Sequence, residues 1–323
     1  MSTSRRRADS LDNRNKRPKL TSTMQALALV ISLIAIDPNA GTTGFDFLRI
    51  TPTAREAAMG GAAVGSAPSP MGFWFSPAHA ASAEIPHAHV GYINYVAGIH
   101  TGSAAYSQPV GTDKGIGFGV VYLNSGTMKR TNERAEENGT FGLSYADLNL
   151  SGAMRLGNAL AIGVGLQGLY GSIDTFFAMG LAGNVGATYR LPVDGLTAGL
   201  AVKNLGLQLK AFQTGRNPLP IDFGLGLSYQ PNPSLNLVLD ARKPIDNRVN
   251  IRAGVEGWVA ELLALRVGYN SDGVDLKSGG GDDILAGVST GLGIRHRGYQ
   301  LDYCFIPMVR LGVAHRLSLA FSL

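Results

Sequence analysis

Cysteine is nearly absent from this 323-residue chain, where Cys304 stands alone. A lone thiol excludes an internal disulfide and a cysteine-built zinc site. It also leaves no cysteine near the leader for a lipid anchor. Charge is scarce, at 16% of residues against about a quarter in ordinary domains; this excludes a charge-rich disordered chain. No stretch reaches the ~20 apolar residues of a spanning helix, and a mean hydropathy of +0.08 excludes a helical membrane bundle. The six histidines (79, 87, 89, 100, 296 and 315) show no HExxH or paired spacing, and no serine sits in a nucleophile elbow. The expectation is therefore no enzyme, no metal and no cofactor.

The net charge of +5 and pI of 9.3 suggest a nucleic-acid partner only until the charge is located. Seven of the 28 basic residues and three of the 23 acidic ones lie in 1–40, which leaves 21 against 20 elsewhere. A nearly neutral body has no electrostatic footprint for nucleic acid. The leader itself has a basic stretch, then "MQALALVISLIAI", then "DPNA" before Gly41. That order reads as a signal peptide over 1–40 with cleavage after Ala40; a retained anchor is the alternative.

Glycine is abundant, at 43 residues, and from residue 88 the apolar pattern has a period of two. In "ALAIGVGLQGLY", Leu160, Ile162, Val164 and Leu166 share one face, with Ala161, Gly163, Gly165 and Gln167 on the other. The same reading predicts fourteen strands: 88–96, 99–108, 115–124, 141–156, 159–171, 177–190, 196–204, 220–230, 234–242, 248–258, 262–270, 284–296, 299–306 and 311–323. Most have the roughly ten residues that a tilted strand needs to cross a bilayer. Connections after even strands are short, as at 157–158, 192–195, 231–233 and 297–298. The long ones, 125–140, 205–219 and 271–283, all follow odd strands. Short turns at one end and long loops at the other mark an outer-membrane barrel.

The two faces differ in charge as well. The bulky face of the strands starting at 159, 220, 234, 248, 262 and 284 carries no Asp, Glu, Lys or Arg. The small face carries Arg155, Arg190, Lys203, Asp222, Asp240, Arg252, Glu256, Arg266, Arg295 and Asp302. A polar lumen with cross-strand pairs, such as Asp240 with Arg252, fits this pattern. A soluble two-sheet sandwich would instead turn the bulky face inward. The leader, the loop parity and the last strand favour the barrel. That strand alternates Leu317, Leu319, Phe321 and Leu323 with Arg316, Ser318, Ala320 and Ser322. It resembles the C-terminal signal that barrel-assembly machinery reads. The fold class is all-β: a fourteen-stranded antiparallel transmembrane barrel over 88–323, in contact with outer-membrane lipid.

Residues 41–87 are rich in Ala, Gly, Pro and Ser. "TAREAAM" predicts a short helix with Thr53 as cap and Glu56 three residues on, ended by Gly60 and Gly61. Such a compact segment suits a hatch or plug inside the lumen, or else a tail on the barrel rim. "FLRITPTAREAAMGGAAVG" followed by "FWFSPAHAA" resembles the start of the PorV/PorQ family of outer-membrane proteins, which groups with FadL-like fatty-acid transporters. "GFGVVYLNSGTMKRTNE", "VGATYRLPVDGLTAGLAVKNLG" and "VEGWVAELLALRVGYNSDGVD" match the habits of the family, so the resemblance covers 44 to 323. Where the family carries an aromatic-Asn-Pro-Ala-Gly run, this chain has Phe75-Ser76-Pro77-Ala78-His79.

The resemblance implies a fourteen-stranded barrel with an N-terminal hatch in the outer membrane of a diderm bacterium. It implies a passive channel for hydrophobic or amphipathic small molecules, or a PorV-like accessory of type IX secretion that handles cargo proteins. Phe45, Phe47, Phe73, Trp74 and Phe75 are apolar enough to line a hatch pocket, and Arg55 could meet a carboxylate there. The charged loop with Lys129, Arg130, Glu133, Arg134, Glu136 and Glu137 is the surface for a protein partner, or simply solvated. Two tempting motifs fall away. "GVGLQG" formally matches GxGxxG, but the period of two runs through it and no helix follows. Asp272, Asp275, Asp282 and Asp283 lack EF-hand spacing and read as a solvated loop.

Overall fold

The computed structural model describes residues 37–66 and 69–323. The signal peptide expected over 1–40 lies almost wholly outside the described residues. Among the described residues sixteen strands form: β1 (His87–Asn94), β2 (His100–Val110), β3 (Lys114–Asn124), β4 (Met128–Thr131), β5 (Glu137–Phe141), β6 (Leu143–Leu156), β7 (Leu160–Ile173), β8 (Phe176–Arg190), β9 (Leu196–Lys210), β10 (Asp222–Asn232), β11 (Leu235–Pro244), β12 (Asn250–Val259), β13 (Leu263–Asn270), β14 (Val288–His296), β15 (Tyr299–Pro307) and β16 (Val313–Ser322). Fourteen of them close an antiparallel barrel, while β4 and β5 form a separate hairpin. Closure runs through β1 and β16, paired from His87↔Ser322 to Asn94↔His315.

All fourteen predicted barrel strands are present, with three differences. The loop 125–140 contains the β4–β5 hairpin, whose residues are nearly all exposed. β9 continues to Lys210, six residues past its predicted end. β14 starts at Val288 because Gly281–Leu285 winds into a 3-10 turn that leaves Ile284 83% exposed. In each case a loop-like composition concealed backbone pairing, or an apolar residue was left outside the sheet.

The bulky face points outward. Val164, Leu166, Leu200, Leu225, Val267 and Leu301 are among the many large apolar side chains left exposed. A soluble surface does not carry so extended an apolar field, whereas hydrocarbon requires one. Aromatic rings border it at both ends: Tyr92, Tyr122, Tyr170, Phe177 and Tyr269 at one, Tyr106, Tyr189, Tyr229 and Tyr299 at the other. Phe177 and Tyr189 stand twelve residues apart on β8. At ~3.3 Å per residue and a ~40° tilt this spans about 30 Å, the depth of a hydrocarbon core.

The longer connections, 125–142, 211–221 and 271–287, share the end that by this rule faces the cell exterior. The first described residues lie at that same outer end. Past the expected cleavage point, the Thr43 hydroxyl donates to Asp246 at 2.7 Å and the Gly44 amide to the Pro218 carbonyl at 2.9 Å. β1 begins at the opposite, inner end. The chain between them therefore descends the whole lumen, touching one strand group after another.

Leu166 sits near the middle of β7 and faces out, 55% exposed. Replacing it by arginine should cost roughly 2–4 kcal/mol of stability in a bilayer. Denaturant unfolding from vesicles reads this directly, and an unchanged midpoint would contradict the outward assignment.

Candidate solute pockets and the segment between them

Small residues on the lumen face let the N-terminal segment lie against the wall. A Cβ on Gly199 would stand 2.1 Å from the Val64 carbonyl oxygen, and one on Gly268 would stand 2.0 Å from the Gly60 amide nitrogen. In "GVGLQG", Gly163 faces the Pro77–Ala78 backbone, which accounts for the first glycine of that motif. The helix Ala54–Ala58 forms where expected, and Gly60 and Gly61 end it at φ 71° and 78°. Thr53 does not cap a backbone amide; its hydroxyl donates to the Glu56 carboxylate instead.

Charged lumen residues hold this segment. Glu256 accepts from Arg55 Nε at 2.9 Å, from Arg55 Nη2 at 2.7 Å and from Arg266 Nε at 2.6 Å. Arg266 also donates to Asp302 at 2.7 Å. Burial alone would lower the Arg55 pKa, but the Glu256 and Glu56 carboxylates outweigh it and hold the guanidinium above its usual value. Burial also acts to raise Glu56; Arg55 and the Thr53 hydroxyl outweigh it and keep the carboxyl below its ordinary range. Arg55 thus meets a carboxylate of the wall, Glu256, and the neighbouring Glu56. Asp240 stands opposite Arg252 in register, yet it accepts from the Ala63 and Val64 amides at 2.8 and 3.0 Å instead of pairing across the strands. Arg190 is exposed at the inner rim, because it ends β8 beyond the plugged part of the lumen.

The aromatic residues divide. Phe45 and Phe47 pack with Leu123, Leu169 and Leu219, and Phe47 stacks on Tyr145 at 4.8 Å. Phe73 is buried against Val121 and Ala105 and fills the space that Gly117 leaves. Trp74 and Phe75 belong to the same cluster but also border a cavity.

That cavity is the inner compartment of a vestibule at the outer end, about 110 Å³, walled by Pro52, Trp74, Phe75, Pro220 and Pro244 and by Arg49, Lys203, Arg242, Arg252, Asp222 and Asp272. A larger compartment of about 360 Å³ adjoins it and adds Ala57, Leu276, Ile306, Met308 and Ala314. Arg49, Ile50, Thr51, Arg252, Asn270 and Asp272 line both. Two further cavities lie at the inner end. One, of about 370 Å³, touches Ser66, His79, Arg155, Arg190 and Asp194. The other, of about 320 Å³, touches Pro70, His79, His87, Arg295 and Gln300. The N-terminal segment lines the vestibule and both of these cavities. Sequence reasoning placed Lys203 on the lumen face but did not find Arg242 or the prolines beside it, since they come from different strands and loops with no common spacing. The loop aspartates are engaged by the chain itself: Asp275 with Arg248 at 2.6 Å, and Asp283 with the Ser278 and Gly279 amides.

This is a fourteen-stranded barrel of the outer-membrane type, plugged by its own N-terminal segment. No family model matches the chain, and no curated protein matches it. Solved structures do. The Pseudomonas putida toluene transporter TodX is 13% identical, with a TM-score of 0.58 over 83% of this chain and 96% of that one. The CymD monoaromatic hydrocarbon channel is 12% identical, with a TM-score of 0.59 over 84% and 97%. A Pseudomonas aeruginosa FadL homologue is 13% identical, with a TM-score of 0.56 over 84% and 99%. At such identities the likeness is one of fold.

Glu256→Gln removes the charge that joins Arg55 to Arg266 and leaves two buried guanidiniums underpaired. Amide exchange over 54–58 should then speed by about tenfold or more, with the barrel strands unaffected. A second expectation concerns His79, whose Nε2 lies 3.0 Å from the Val64 carbonyl. Burial lowers its pKa from 6.5, so the unfolded ring binds a proton first as pH falls. Its contribution is present above about pH 6.5 and is lost below it. Protection of the amides near Val64 should be weaker at about pH 5.5 than at about pH 7.5, and His79→Gln should reduce that difference.

Proposed function

We propose that the protein is a passive, FadL-like channel of the outer membrane that takes up hydrophobic or amphipathic small molecules. The observation that carries this reading is the pair of cavity systems, a vestibule at the outer end and polar pockets at the inner end, with the N-terminal segment lining both. A solute enters the vestibule against Ile50, Ile306 and Met308, and passage requires the segment to shift. The glycine-lined wall offers it few interlocking side chains, while the Arg55–Glu256 and Asp240 contacts set how readily it moves. The solved barrels of similar fold are described as hydrocarbon transporters and a FadL homologue, which favours uptake over a secretion accessory. Export by a signal peptide and assembly through β16 by the barrel-assembly machinery complete the proposal.

The test uses the chain's two tryptophans. Trp258→Phe leaves Trp74, at the vestibule, as the sole indole. Saturable change of its fluorescence with an apolar alcohol, together with faster uptake of that alcohol into proteoliposomes than into protein-free vesicles, is the expected result. A flat titration and unaltered uptake would end the channel reading.

A further inference from the structure

The outward face of β2 is not a smooth apolar band. It runs His100, Gly102, Ala104 and Tyr106, so two successive positions are small. In register, Gly102 lies between Tyr92 of β1 and Tyr122 of β3, and Ala104 between Val90 and Val120. A Cβ on Gly102 would meet nothing within 4 Å. The wall glycines at 163, 199 and 268 make room for the N-terminal segment, whereas Gly102 faces lipid and leaves a recess. The flanking strands are about 10 Å apart, so β2 is the floor of a groove wide enough for one acyl chain. The exposed Tyr106 closes its lower end, about 13 Å along the strand from Gly102.

The outer end of this groove is polar. Asn94, His100 and Asn124 stand side by side across β1, β2 and β3, and His315 of β16 faces Asn94 from the other side. Directly opposed residues are ~5 Å apart, so the row is continuous. It sits two residues beyond Tyr92, just outside the aromatic border. The Tyr92 hydroxyl is 2.8 Å from His100 Nδ1, and the Tyr303 hydroxyl 2.7 Å from His315 Nδ1. With each hydroxyl donating, Nε2 carries the ring proton, and among the described residues neither Nε2 has a partner. The Asn94 side chain has none there either. Arg310, exposed on the connection between β15 and β16, makes no ion pair among the described residues. Strands β1, β2, β3, β15 and β16 carry a single acid, Asp302, and it is buried in the lumen.

An apolar groove capped by donors, with no acid to repel an anion, fits a lipid whose chain lies in the groove and whose head lies on the row. We propose that this face is a specific site for one phosphorylated glycolipid of the outer leaflet. The height selects the leaflet, because the row is at the outer end of the strands. The donors select the phosphate: a histidine N–H, an amide and a guanidinium all bond its oxygens, and hydrogen bonds to a charged partner are the strong ones. The breadth selects the sugar. From His315 to His100 is about 10 Å, wider than a single phosphodiester and of the order of a disaccharide, whose hydroxyls can also serve the Asn94 amide. The site lies on the outside of the barrel and involves no lumen residue, so it stands apart from the channel reading.

Native mass spectrometry of the purified barrel in mild detergent, with bis-phosphorylated lipid A or with phosphatidylglycerol added, tests this. One lipid A per chain should survive collisional activation that strips phosphatidylglycerol, with an affinity about tenfold or more higher, as charge-assisted contacts warrant. Gly102→Phe fills the groove and should lower the affinity for lipid A by about tenfold. The double variant Asn94→Leu, His100→Leu removes donors and should lower it several-fold, leaving phosphatidylglycerol unchanged. Heat-modifiable gel migration checks that each barrel is folded; if Gly102→Phe fails that check, Ala104→Phe takes its place with the same expectation. Equal retention of the two lipids, or lipid A binding that neither the groove variant nor the double variant weakens, overturns the site. So does a dimer of this chain that forms without lipid A and is broken by the groove variant, since the face would then be covered by a second copy.

Discussion

A strand in hydrocarbon has no water to satisfy its amides, so each must pair with a neighbour, and an open sheet edge is not viable there. Closure through β1 and β16 follows from that requirement. So does the outward apolar face, because side chains alternate and only one set can face lipid. The seam ties β1 to the far end of the chain and places the residues before it at the inner mouth. With Gly44 held by the Pro218 carbonyl at the outer mouth, the described residues between 44 and 86 run through the lumen. The plug is thus a consequence of where its two ends are fastened.

A lumen that contains backbone cannot also contain large side chains. The wall therefore presents glycine where the segment passes, at Gly163, Gly199, Gly254 and Gly268, and bulkier polar groups elsewhere. Where large and small meet, as Phe73 against Gly117, the fit depends on both partners. Charge supplies the remaining attachment. Glu256 and Asp240 bind the segment through Arg55 and through the Ala63 and Val64 amides, contacts that are directional and can be broken singly. A plug held by a few polar contacts on a smooth wall can move without dismantling the barrel.

The same lumen charges serve unequal purposes. Toward β12, β13 and β15, acid and base balance in the Arg55–Glu256–Arg266–Asp302 chain. Toward β9 and β10 they do not, and the excess faces a cavity. The difference lies in which carboxylates the N-terminal segment occupies: Asp240 is drawn to its amides, and Arg252 turns to Asn250 at 2.6 Å and to Asp272 at 3.6 Å.

Strand number, strand faces and loop parity were legible in the sequence, because a period of two and the spacing of turns are local properties that each strand expresses by itself. Leu160 through Leu166 show their face without reference to any neighbour. The short helix at Ala54–Ala58 was legible for the same reason. The β4–β5 hairpin was not, since its polar residues pair only with each other outside the membrane pattern. Nor were the partners of the lumen charges. Alternation says that Asp240, Arg252 and Lys203 point inward, but not which of them meets the N-terminal segment. That depends on the path of the described residues between 44 and 86 across strands remote in sequence. Only the closed barrel, with that segment laid inside it, decides that Arg55 is paired, that Trp74 and Phe75 border a cavity, and that Lys203 makes no ion pair among the described residues.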